Sequence, residues 1–154
     1  MRSYKTGEMV ENRIDSGVDS TLERAYRDTA FEVDHSEQHF AIRIGQTCAP
    51  LDALLRRHGQ RHWAYVTACN PRSVRLAADE NARRQADLRA YLRAAGFIIY
   101  PGRGVPAEPG WQPEDSFLAL GITRERALQI GVMFEQNAIV AGEAGGAAVL
   151  LFCQ

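Results

Sequence analysis

The positions of apolar and polar residues along the chain predict strands that alternate with helices. Leu51, Leu54 and Leu55 fall on one face of a helix that Pro50 opens and Gly59 closes. Further helices are predicted from residue 20 to about 31, over 79–92 with Gly96 beyond, and from the N-cap Thr123 to about 134. Runs typical of β-strands lie at residues 39–44, 63–68, 97–100, 116–120, 138–141 and 147–152.

This order of elements favours the α/β class, as a single-domain α/β sandwich with a mixed sheet of about five to six strands and about four helices. The first three strands are expected to be parallel and joined by right-handed crossovers. The last two are expected to be antiparallel, because Gly145-Gly146 is a hairpin signal. Residues 101–114 are rich in Pro and Gly and are predicted to form a long irregular loop.

The predicted domain covers residues 19–154. Residues 1–18 are polar, charged and without a clear period, which predicts a flexible N-terminal arm. The first helix is expected to start with a capping box, in which Ser20 and Glu23 each satisfy a backbone N–H that the helix itself leaves unpaired.

One predicted helix has a break in its apolar stripe. Leu88 and Leu92 face inward, and the same face continues toward the N-terminus to Arg84 and then Asn81. An inward arginine needs a partner, because a buried unpaired charge is very costly. That partner is either the anion of a ligand or a group of the protein itself, such as Glu114, Asp115 or the carbonyls of a strand end.

Asn70, Arg72 and Ser73 directly follow the predicted strand 63–68. Ligands of α/β sheets bind beyond the carboxyl ends of strands and near helix N-termini, so these side chains are candidates for holding a small anionic ligand. The alternative is a simple turn, since Asn-Pro initiates turns.

Three further polar residues are candidates for the same site. Glu114 stands at the end of the Pro/Gly-rich stretch, where a carboxylate serves acid/base chemistry or binds a divalent ion, and Ser116 begins the next strand. Gln136 lies between a helix and a strand and suits either hydrogen bonding to a base or an amide or capping of the helix C-terminus, whereas Asn137 is expected to cap the helix.

Composition narrows the class of protein. The chain has 154 residues, 45% of them apolar and 24% charged, with a net charge of −1, which fits one globular domain and gives no strong nucleic-acid signal. No apolar run is long enough to cross a membrane and the N-terminus lacks a signal-peptide core, so a cytoplasmic location is predicted. The three Cys and four His residues have no metal-ligand spacing, so no metal is predicted, and no cofactor is indicated.

Several clusters resemble a bacterial family of uncharacterised proteins, the domain of unknown function 3293, from about residue 20 to the C-terminus. They are residues 25–29, 67–71, 80–84, 111–117, 120–121 and 134–140. The family pattern has Trp where this chain has Cys69 and Gly where it has Glu135. A Gly there permits an unusual backbone angle, whereas the charge of Glu135 argues against an anion at Gln136. The resemblance implies no reaction.

Three functions are consistent with these observations. The first is a domain that binds a small anionic, nucleotide-type ligand. The second is a hydrolase or transferase that acts on a phosphate-containing substrate, with Glu114 as base or metal ligand and Arg84 steadying the anion. The third is a protein-interaction module whose polar motifs are structural, in which case self-association is compatible with the sequence.

Overall fold

The computed structural model describes residues 16–153 of the chain. The helices in this part are α1 Ser16–Arg27, α2 Ala49–Arg57, α3 Ala78–Ala94 and α4 Arg124–Met133. The strands are β1 Ala30–Asp34, β2 His39–Ile42, β3 His62–Val66, β4 Ile98–Val105, β5 Glu114–Leu120, β6 Ala138–Glu143 and β7 Val149–Phe152. A single 3-10 turn, Pro71–Ser73, follows β3.

The predicted α/β class and the four helices are confirmed, but the sheet differs from the prediction. Over residues 16–153 it has seven strands in the order β2-β1-β4-β5-β3-β6-β7, and each neighbouring pair is antiparallel. The prediction of a mixed sheet of five to six strands is therefore wrong. The three strands expected to be parallel do run in one direction, but β1 and β5 lie between them.

Strand β1, which the sequence analysis did not predict, explains part of this difference. The first helix was predicted to end near Phe31, but α1 ends at Arg27, and residues 30–34 form β1. The helix also begins at Ser16, so the predicted cap Ser20 lies inside it. Of the arm predicted for residues 1–18, residues 1–15 lie outside the described residues.

The second half of the chain follows the predictions more closely. Thr123 caps α4 by accepting a hydrogen bond from the Arg126 N–H at 3.2 Å. The antiparallel hairpin of β6 and β7 is confirmed. The irregular stretch is shorter than predicted, because β4 continues through Pro101 and Gly102 to Val105 and β5 already begins at Glu114.

Apolar side chains cover both faces of β3. Trp63 and Tyr65 pack with Leu51 and Leu55 of α2, whereas the alternating residues Ala64 and Val66 belong to a second cluster with Leu88 and Leu92 of α3 and Ala127 and Ile130 of α4. Burial on both faces explains the near-continuous apolar run of this strand.

The sheet is curled. Ile44, after β2, forms an isolated bridge with Ala148, before β7, so that the two ends of the strand order approach each other. In the described part of the chain, no helix has the length and apolar character needed to span a bilayer.

Candidate functional site

The loop after β3 is built on left-handed backbone conformations. The φ angles of Asn70, Arg72 and Ser73 are +48°, +53° and +63°, and Glu135 in the loop after α4 has a φ of +61°. The two loops are joined by a hydrogen bond of 2.7 Å from the Arg72 N–H to the Glu135 carbonyl. Such angles are costly for residues other than Gly, so the surrounding contacts must hold both loops in place.

Arg84 supplies three of those contacts. Its Nε donates to the Ala68 carbonyl at 2.7 Å and its Nη2 to the Phe134 carbonyl at 2.6 Å, while Nη1 lies 3.3 Å from the Glu135 carboxylate. The partner of this inward arginine is therefore internal, and its guanidinium connects the loop after β3 with the loop after α4.

Glu135 stands where helix α4 ends. The Gln136 N–H donates to the Gly131 carbonyl at 2.8 Å and the Glu135 N–H to the Val132 carbonyl at 3.0 Å, which is the Schellman pattern of a helix C-terminus. In this pattern the left-handed residue is usually Gly, whereas this chain has Glu135 with a φ of +61°. Asn137, the predicted cap, instead donates to the Ser73 hydroxyl at 2.7 Å.

Asn70 and Asn81 form a pair that fixes Glu114. Asn81 Oδ1 accepts from the Asn70 N–H, and Asn81 Nδ2 donates to Asn70 Oδ1, both at 2.9 Å. The Leu76 N–H also donates to Asn70 Oδ1 at 2.9 Å. Asn70 Nδ2 is thereby directed to Glu114 Oε2, at 2.8 Å.

Glu114 lies at the centre of four adjoining cavities within residues 16–153, which we call the Glu114 cavity. The two outer chambers have volumes of about 420 and 250 Å³, and both are lined by Arg75, Gln112 and Glu114. The two inner chambers have volumes of about 80 and 50 Å³, and both are lined by Tyr26, Gln136 and Glu114. The inner chambers reach into the curled sheet, where Tyr65 and Ser116 form part of the wall.

A larger cavity, of about 510 Å³, lies elsewhere. It is bounded by the turn between β1 and β2 and by α2, with His35, Phe40 and Leu54 in its lining. None of the candidate residues predicted from the sequence lines it.

The structure brings most of the predicted site residues to the Glu114 cavity. Its lining includes Asn70, Ser73, Asn81, Glu114, Ser116 and Gln136. Arg72 and Arg84 are not among the lining residues of these chambers. The prediction that Arg84 steadies an anion is corrected in this respect, since its guanidinium is bonded to two backbone carbonyls and to Glu135.

Sequence reasoning missed other lining residues, namely Tyr26, Tyr65, Arg75, Arg103, Trp111 and Gln112. Tyr26, Trp111 and Gln112 fall inside the clusters that carried the family resemblance, which was the available signal for them. Arg75 and Arg103 follow no pattern that separates them from surface arginines.

Burial dominates the electrostatics of the cavity. It raises the pKa of Glu114, against a smaller opposing effect of the hydrogen bond from Asn70. It also raises the pKa of Tyr26, and the nearby Glu114 carboxylate adds to that rise. Glu114 Oε1 makes no hydrogen bond within the described residues, so this oxygen is the acceptor that a ligand can use.

The raised pKa of Glu114 predicts a pH-dependent stability. The folded chain holds this proton more tightly than the unfolded chain, so the free energy of unfolding falls as pH rises from the ordinary carboxyl pKa through the raised value. Glu114→Gln cannot ionise and keeps an oxygen for Asn70, so it should lack this fall. We expect the variant to be the more stable of the two above that window.

Thermal unfolding of both proteins between about pH 4 and about pH 8 measures this difference. Melting temperatures that run parallel over the whole range would contradict it. Glu125→Gln is the control, because it removes the same charge at an exposed position on α4. Its melting temperature should follow that of the wild type.

The acidic residues of this region are not grouped for a metal. Asp115 lies near Arg103, with 3.9 Å between Asp115 Oδ1 and Arg103 Nε. Among the residues that the structure describes, no group of three or more His, Cys, Asp or Glu side chains is placed to hold a metal ion.

Fold and site together define an α/β domain with a curled antiparallel sheet and a polar cavity centred on one partly buried carboxylate. Residues 66–139 match the profile of a family described as "Protein of unknown function (DUF3293)", which confirms the resemblance seen in the sequence. The matched segment contains Asn70, Arg84, Glu114 and Gln136. No curated protein and no solved structure matches the chain.

Proposed function

We propose that this protein binds a small nucleotide-type ligand in the Glu114 cavity. The observation that carries the proposal is that one partly buried carboxylate, oriented by Asn70, is shared by all four adjoining chambers. Concave sites with a few convergent polar groups and a titratable group of shifted pKa are typical of ligand sites.

Trp111 provides a surface for a planar ring. Its side chain lies at the junction of an outer and an inner chamber, and 51% of the residue is exposed. An exposed indole beside a polar cavity suits stacking with a nucleobase, which contributes roughly 1–3 kcal/mol per base.

Arginine side chains in the outer chambers suit the phosphate end of such a ligand. Arg75 lines both outer chambers, and its guanidinium makes no hydrogen bond or ion pair within the described residues. Arg103 lines the larger chamber, and its ion pair with Asp115 is long, at 3.9 Å. A guanidinium that is not bonded internally can form two parallel hydrogen bonds to a phosphate.

Ligand binding is expected to be measurable by thermal shift with a panel of nucleoside mono- and diphosphates. A ligand present at about 100 times its Kd stabilises the folded state by about 2.7 kcal/mol, which corresponds to roughly 5–10 °C in a domain of this size. Arg75→Ala and Trp111→Ala should each weaken binding by about tenfold or more, measured by calorimetry.

Arg124→Ala is the matched control for Arg75→Ala. Arg124 is an exposed arginine outside the cavity, so this substitution removes the same charge without changing the cavity. It should bind like the wild type. The proposal fails if no nucleotide changes the melting temperature at millimolar concentration, or if the Arg75 and Arg124 variants behave alike.

A second candidate is an enzyme that acts on a phosphate-containing substrate, with Glu114 as general base. The partly buried Glu114 carboxylate, with its raised pKa, favours this function. In this case Arg75 takes the role that the sequence suggested for Arg84. Turnover of a bound nucleotide that Glu114→Gln abolishes, while binding persists, would distinguish this function from binding alone.

A further inference from the structure

The inner chambers carry a second acceptor oxygen besides that of Glu114. Gln136 is 6% exposed, and its Nε2 donates to the Cys69 carbonyl at 3.1 Å and to the Phe134 carbonyl at 3.2 Å. Since both partners are carbonyls, they fix the orientation of the amide: its NH₂ group faces them. Gln136 Oε1 makes no hydrogen bond within residues 16–153.

The inner chambers therefore present acceptors that lack a protein donor. Glu114 Oε1 and Gln136 Oε1 belong to residues that line both inner chambers. Both oxygens are open to water in the chambers, because Gln85 Nε2 is the one buried side-chain polar atom without a partner among the described residues. A ligand N–H that donates to such an oxygen forms a hydrogen bond worth about 1 kcal/mol or more, whereas a phosphate oxygen, itself an acceptor, cannot form it. A phosphate oxygen placed there would also be repelled by the Glu114 carboxylate.

We propose that the inner chambers bind the ligand through an edge with two adjacent N–H donors, as in guanine or another amidine-type group, rather than through its phosphate. This inference rests on the proposed function where it concerns nucleotides. It deepens that function by naming the end of the ligand that lies in the inner chambers, the base, and the kind of base that fits there.

The edges of the common bases differ in ways that make this inference testable. Guanine places the N1–H and the 2-amino group side by side, which matches a carboxylate. Hypoxanthine lacks the amino group, xanthine replaces it with a carbonyl, and adenine has one amino group next to a ring acceptor. Tyr26 lines the same chambers, and its hydroxyl, which is protonated at neutral pH, can donate to the guanine carbonyl.

The experiment compares GMP, IMP, XMP and AMP by calorimetry on the full chain, with benzamidine as a minimal amidine probe. We expect GMP to bind about tenfold or more tightly than IMP, because one charge-assisted hydrogen bond is lost, and more tightly still than XMP. Benzamidine should compete with GMP.

Glu114→Gln gives a sharper test, because the preference should reverse. Asn70 Nδ2 requires an acceptor, so the new amide oxygen takes the place of Oε2 and the new NH₂ group takes that of Oε1. The cavity then offers a donor where it offered an acceptor, and XMP should bind the variant more tightly than GMP does. Glu125→Gln should keep the order of the wild type.

The possible results separate the two proposals. Equal affinity for GMP, IMP and XMP would overturn the inference about the donor edge and leave nucleotide binding intact. Binding of benzamidine that Glu114→Gln abolishes, without binding of any nucleotide, would overturn the proposed function and support the inference. If neither class of probe binds, both are overturned. Should the variant not fold, the wild-type order of the four nucleotides decides alone.

Discussion

Replacing Gly102 with alanine is expected to lower the free energy of unfolding by about 3 kcal/mol. A Cβ at this position in β4 would overlap the carbonyl oxygen of Glu32 in β1 and lie 2.8 Å from the Tyr65 hydroxyl. The Tyr65 hydroxyl donates a hydrogen bond of 2.6 Å to this Glu32 carbonyl. Overpacking of this kind costs about 1–3 kcal/mol, and the displaced hydrogen bond adds about 1 kcal/mol.

Thermal or urea unfolding measures this change, which corresponds to a fall of roughly 6–12 °C in Tm. The same strand offers the control. A Cβ on Gly104 would meet side chains of Phe31 and Thr29 at 3.7 Å, an ordinary contact, so Gly104→Ala should stay within about 1 kcal/mol of the wild type. Equal stability of the two variants would show that β1 and β4 are not this close.

Replacing Arg84 with alanine is also expected to cost about 3 kcal/mol, in the absence of any ligand. The change removes two short hydrogen bonds to backbone carbonyls, of Ala68 and Phe134, and leaves those carbonyls without this donor. Hydrogen bonds to charged groups contribute about 1.5–3 kcal/mol each. The ion pair with Glu135 adds little, since half of the Glu135 side chain is exposed.

Arg83→Ala is the control for this variant. Arg83 is the exposed neighbour on α3, and its Nη1 lies 3.8 Å from Asp79, so its loss should change stability by less than about 0.5 kcal/mol. Chemical denaturation of both variants without ligand measures the difference. An Arg84 variant as stable as the wild type but unable to bind nucleotide would show instead that this arginine serves the ligand.

The position of Arg84 shows what a helical pattern can predict. The break in the apolar stripe of α3 correctly indicated an inward arginine, because the face of a helical residue follows from its neighbours three and four positions away. The pattern left open whether its partner was a ligand or the protein. That partner is a pair of carbonyls 16 and 50 residues away in sequence, beyond the reach of any local pattern.

Glu114 shows the same limit for the cavity. Its place after a Pro/Gly-rich stretch marked it as a candidate, but its pKa is raised by burial among distant segments, and its hydrogen bond comes from Asn70, 44 residues away. In the sequence, the charge of Glu135 already argues against an anion at Gln136. The structure adds a second reason, because the amide NH₂ is occupied by carbonyls and only the oxygen remains for a ligand.

The sequence by itself determined the class of the fold, most helices, the cap at Thr123, the final hairpin and the family resemblance over residues 66–139. Each of these depends on residues a few positions apart, which interact in any compact fold of the chain. The tertiary structure decided that β1 and β5 separate strands that run in the same direction, that Arg84 joins two loops, and that Glu114 and Gln136 face one cavity. These features depend on contacts between segments that are far apart in sequence. Which distant segments meet is decided by the free energy of the whole fold, including the entropy lost when the chain between them is closed into a loop, and this leaves no local pattern in the sequence.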